Sequence, residues 1–128
     1  MKLPRLYVIG DSISIQYGPH LARYLEGIFT YSRKEGEEEA NLNLDNPQGA
    51  NGGDSSMVLG FLKARHKAGE LAADVIMVNC GLHDIKTTPK TRTRQIPLEK
   101  YRANLDPIVK LARRMAPHVV WVRTTPVD

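Results

Sequence analysis

The sequence predicts an α/β domain of the doubly wound class, a parallel sheet with helices on both faces, and three observations predict it. Short apolar runs at residues 6–9, 74–79 and 118–123 take turns with stretches of helical periodicity. Their centres, residues 6–9, 75–78 and 119–122, are continuous in apolar residues rather than alternating, as strands buried on both faces are. Each glycine- or polar-rich loop after such a run leads into a helical pattern. At 128 residues the chain can bury one core and is too short for two, so residues 1–128 are read as one domain.

The first run ends at Gly10, and beyond Ser14 the positions Tyr17, Leu21, Tyr24, Leu25 and Ile28 fall at helical spacing. Residues 31–46 hold the charge run Glu35 to Glu39 and then Leu42 and Leu44 in alternation, which predicts a loop followed by a short second strand. Residues 49–56 are rich in Gly, Asn, Asp and Ser. They open a helix with Met57, Val58, Phe61 and Leu62 on its apolar face, capped by Asp54 or Ser55. The strand at 74–79 breaks at Cys80 and Gly81, and residues 87–97 lack apolar periodicity and read as a long loop. From Leu98 a helix is predicted through Tyr101, Leu105, Ile108, Ala112 and Met115. Pro97 suits its first turn, Arg113 and Arg114 suit its last, and Pro107 is expected to kink or split it. A fourth strand follows at 118–123. No repeat or low-complexity segment is visible.

Composition narrows the function classes. The longest apolar runs, such as Val119 to Val122, are far too short to span a bilayer, so no membrane span is expected. Residues 1–5 lack the apolar centre of a secretory leader, which leaves a cytoplasmic and a mature secreted location both open. Cys80 is the single cysteine, so an internal disulfide is excluded and no zinc-site spacing exists. The net charge of +4 gathers at Lys86, Lys90, Arg92 and Arg94 and at Lys110, Arg113 and Arg114, without interleaved aromatics for base stacking. That pattern reads as solvated surface rather than a nucleic-acid interface.

In the doubly wound class, sites lie at the carboxyl ends of the strands, where three polar loops converge: residues 10–14, 49–56 and 80–86. A serine after a strand and at the first turn of a helix gains an exposed hydroxyl and free backbone N–H groups that can bind an oxyanion. Ser12 holds that position; the competing role for it is a helix N-cap. Asp11 reads as a residue bracing the loop by accepting backbone hydrogen bonds.

Tyr7 to Ser14, with Gly10, Asp11 and Ser12 at its centre, resembles the first signature block of the SGNH (GDSL-type) hydrolases. Asn51 to Ser56 resembles the second block, and Gly81, Leu82, His83, Asp84 resembles the third, with histidine where the family has asparagine. The resemblance covers essentially the whole chain. It implies a flavodoxin-like three-layer fold and hydrolysis of acyl esters without metal or organic cofactor, on a small-molecule ester that can be carbohydrate-linked. It implies Ser12 as nucleophile, and an oxyanion hole formed by the N–H of Ser12, that of Gly53 (Gly52 being the alternative), and the side chain of His83. An imidazole N–H can donate where an asparagine amide would. Asp84 is expected to brace its loop. The other expectation for His83 is a loop histidine whose ring packs under the sheet.

The family's base, a histidine three residues after an aspartate, has no counterpart in this sequence. His20 and His66 fall on predicted helices and His118 begins a strand. The apolar fourth strand would also be left as a sheet edge, so a fifth strand and last helix are expected to be lacking here, with truncation, cleavage or a partner chain as the explanations. The alternative to an esterase is a catalytically incomplete scaffold serving as a glycan-binding or structural module.

Overall fold

The computed structural model describes residues 2–69 and 71–127. Its elements in chain order are β1 (Arg5–Ile9), α1 (Ser12–Tyr24), β2 (Thr30–Arg33), α2 (Glu37–Leu42), α3 (Ser55–Ala68), β3 (Val75–Val78), α4 (Leu82–Ile85), α5 (Leu98–Met115) and β4 (His118–Trp121). The strands form one parallel sheet in the order β2-β1-β3-β4. The α/β class, with a flavodoxin-like strand order, is therefore as predicted.

Alternate residues of each strand feed opposite faces. Ile9 of β1 and Ile76 and Val78 of β3 pack with Val58 and Leu62 of α3 and Ile108 and Ala112 of α5, and all are essentially inaccessible to solvent. On the other face Tyr17 of α1 reaches Met77, the register partner of Val8. A smaller cluster of Ile15, Ala40 and Ala50 ties α1, α2 and the loop at residue 50 together. Burying a Val, Leu or Ile side chain fully contributes about 1.5–3 kcal/mol, so the α3/α5 face dominates the stability of the layer structure.

Two predicted features are corrected. The second strand lies at Thr30–Arg33, before the charge run, and residues 37–42 form a helix instead of a strand. Three glutamates occupy the first turn of α2, where they complement the helix dipole, and Gly36 enters it at φ 94°. The Leu42/Leu44 alternation that suggested a strand belongs to a helix end and a turn, and Leu42 is exposed. Pro107 does not split α5, which runs unbroken over 18 residues. A proline there removes only the bond to the Ala103 carbonyl. The buried face formed by Asn104, Ile108 and Ala112 holds the helix together across the gap.

Candidate active site

The chain leaves β1 to build β2 on one side and returns to build β3 on the other, so the order reverses between β1 and β3. In an open α/β sheet that reversal opens a crevice at the carboxyl ends of the two strands. Ser12 follows β1 and His83 follows β3.

Ser12 is the first residue of α1, and Asp11 is the cap, accepting from the Ile13 N–H at 3.0 Å. The cap role considered for Ser12 thus goes to Asp11, which braces its loop as expected; its Oδ2 is buried with no hydrogen-bond partner among the described residues. The Ser12 hydroxyl makes no hydrogen bond among them either. Its backbone N–H belongs to the first helical turn, whose amides lack intrahelical acceptors.

The second loop is stitched to the first. Gly10 and Asn51 form a parallel bridge, and the Gly52 N–H donates to Gly10 O at 2.8 Å. Gly53 sits at φ 73°, and a Cβ there would lie 2.5 Å from Met57 Sδ and 2.9 Å from Pro47 Cβ, so backbone and space both select glycine. Its N–H donates to Asn51 Oδ1 at 3.0 Å. Both glycine amides are therefore already engaged, and Gly53 can serve an oxyanion only by sharing its hydrogen. Asp54 caps α3 through the Met57 N–H and also accepts from Gln95 Nε2.

The third loop is not extended but winds into the single turn α4. Within it Asp84 is 2% exposed and accepts from the Ser55 N–H at 2.9 Å and from Ser55 Oγ at 2.6 Å. Asn104 of α5 donates to Ser55 Oγ at 2.9 Å and to Ser56 Oγ at 3.0 Å. Asp84 thus braces the third loop by fastening it to the second. Burial raises its carboxyl above the usual range, a shift that the Ser55 bonds partly offset. Burial, with the negative charges of Asp84, Asp11 and Asp54, pushes the neighbouring Cys80 thiol up to about 12. That makes Cys80 a poor nucleophile.

The first and third loops, with the turn at residues 44–45, frame an open cleft of about 640 Å³, lined by Ser12, Leu44, Asp45, His83, Lys86 and Thr87 among others. His83 is 7% exposed and borders this cleft. It is the one imidazole among the described residues that does so. His20 lines a separate hollow on α1, His66 lies in the last turn of α3, and His118 begins β4 at the opposite end of the sheet. Gly53 is not among the lining residues. A second, mostly apolar pocket of about 210 Å³ adjoins, sharing Ile85 with the cleft and lined by Ile96, Leu98, Tyr101 and Arg94.

Several site residues escape sequence reasoning. Ser55, read in the sequence only as a cap candidate and block member, joins the second loop to Asp84, and Asn104 ties it to α5; nothing in the local pattern marks an asparagine in mid-helix as a brace. Arg33 is 6% exposed and donates to Ser14 O, Ser14 Oγ and Ala50 O, holding the serine loop from β2. An arginine ending a strand looks like surface in sequence. Among the described residues no group of three or more His, Cys, Asp or Glu is placed to hold a metal ion, and no helix is long and apolar enough to cross a membrane. Compared with known proteins, the chain matches no family model and no curated protein.

Proposed function

We propose that this chain is an ester hydrolase of the SGNH type in which Ser12 is the nucleophile of acyl transfer. The observation that carries the proposal is the meeting of an unengaged serine hydroxyl at a helix N-terminus with an imidazole from the next strand across one open cleft. Ser12 Oγ attacks the ester carbonyl, and the oxygen that becomes negative is held by the Ser12 N–H and by an N–H of His83. Gly53 adds a donor in proportion as its amide loosens from Asn51. The alcohol leaves with the proton taken from Ser12, and water then hydrolyses the acyl-serine.

The proton needs a base, which the family resemblance assigns to a histidine three residues after an aspartate, a pattern that this sequence does not contain. With His83 given to the oxyanion, no other histidine among the described residues lines the cleft to serve as base. The same observation favours a second reading, in which the scaffold binds an acylated glycan or supports an assembly without turnover.

Turnover of p-nitrophenyl acetate by the wild type and by Ser12→Ala separates the two. The esterase predicts a rate that drops to background in Ser12→Ala, by about 10³-fold or more. Equal rates for the two proteins would leave the binding module.

A further inference from the structure

The basic residues after the third loop form a built feature. Residues 86–95 fold back as a hairpin, with Thr87 bridged to Arg94 and the Gln95 N–H donating to Lys86 O at 2.7 Å. Arg92 turns its tip at φ 54°, with its N–H on Thr88 O at 2.9 Å, and the hydroxyls of Thr88, Thr91 and Thr93 bond to one another. The base of the hairpin is fixed to the site itself. Gln95 Nε2 donates to Asp54 at 2.7 Å, and the Ile96 N–H donates to Asp84 O at 3.0 Å.

This hairpin carries Lys86, Lys90, Arg92 and Arg94, and no carboxylate occurs between Ile85 and Leu98. None of the four forms an ion pair among the described residues. Lys86 lines the Ser12 cleft and Arg94 lines the apolar pocket beside it. Among the described residues Asp45 is the one carboxylate on the cleft, none of the glutamates of the 35–39 run lines it, and Asp84 lines the pocket beside Arg94. Ordered, unneutralised cations at the mouth of a cleft attract anions and raise their local concentration.

We propose that the substrate is an anionic ester, its carboxylate or phosphate held at Lys86 on the Ser12 cleft and drawn to the cleft mouth by Lys90, Arg92 and Arg94. The inference rests on the ester-hydrolase reading. We place the charge on the alcohol and take the acyl side to be a short uncharged group such as acetyl.

The test compares two esters of the same shape, 4-acetoxybenzoate and its methyl ester, by release of the phenol. At low ionic strength kcat/KM is expected to favour the anion by about 10-fold. The preference should shrink towards parity at about 0.5 M salt. In Lys86→Gln/Arg94→Gln the ratio between the two esters should fall to about one even at low salt. Equal kcat/KM in the wild type, or a preference that the double variant keeps, overturns the proposal. A binding arm stands apart from turnover: 4-hydroxybenzoate titrated into Ser12→Ala protein should shift the amide resonances of residues 86–94 in a saturable way, and no shift overturns the proposal. Loss of Ser12-dependent turnover with that binding retained would instead sink the hydrolase reading alone.

Discussion

In the proposed hydrolase Ser12 and His83 divide the chemistry, and each role can be tested by a change that spares the fold. His83 stands where the SGNH pattern has asparagine, so its proposed work is donation of one N–H to the oxyanion. His83→Asn should keep turnover within about 10-fold of wild type, whereas His83→Ala should lose about 10²–10³-fold in kcat. If His83 acted as base, the asparagine variant would be as dead as the alanine one. Ser12 and Asp11 stood out in the sequence as polar residues between an apolar run and a helical pattern, whereas Gly53, His83 and Asp84 were named only through the resemblance to the SGNH signature blocks. The engagement of the Gly53 amide by Asn51 was not legible, since it depends on how the loop folds back on itself. The buried Arg33 was hidden for a similar reason: its acceptors come from residues 14 and 50, far away in sequence.

Between elements, the hinge of the site is the Asp84–Ser55–Asn104 network, which fastens α4 to α3 and α5. Ser55→Ala removes a buried hydroxyl that bonds both partners and should cost about 1–3 kcal/mol in urea unfolding. Asp84→Asn should cost a similar amount, because its amide presents N–H groups to the Ser55 donors. Asp84 takes up a proton more readily in the folded chain than in the unfolded one. Its contribution is therefore full below the ordinary carboxyl range and declines as pH rises through its raised folded value. The stability gap between wild type and Asp84→Asn should narrow over that rise in pH; a gap that widens would contradict the assigned shift. Strands β1, β3 and β4 and helices α1, α3 and α5 were visible as apolar runs and helical spacing. Helix α2 was missed because two leucines at alternate positions outweighed the three glutamates that start a helix. The effect of Pro107 was overstated because propensity ignores the packed face that holds α5 together.

Across the whole molecule, the parallel sheet gathers the ends of β1 and β3 at a single crevice, and three loops distant in sequence become neighbours there. A parallel sheet follows from alternating strands and helices, which is why the carboxyl ends of the strands were the expected place for a site. The sheet ends in β4, whose Val120 is 43% exposed, as an apolar edge strand was expected to be. Ser12 is proposed to act as the nucleophile once a base completes the cleft. That role is tested most directly by treating the protein with a fluorophosphonate and locating the adduct by intact mass and peptide mapping. A single phosphonyl group on Ser12, absent from Ser12→Ala, is the predicted result. An unmodified protein, or an adduct that persists in Ser12→Ala, would contradict it.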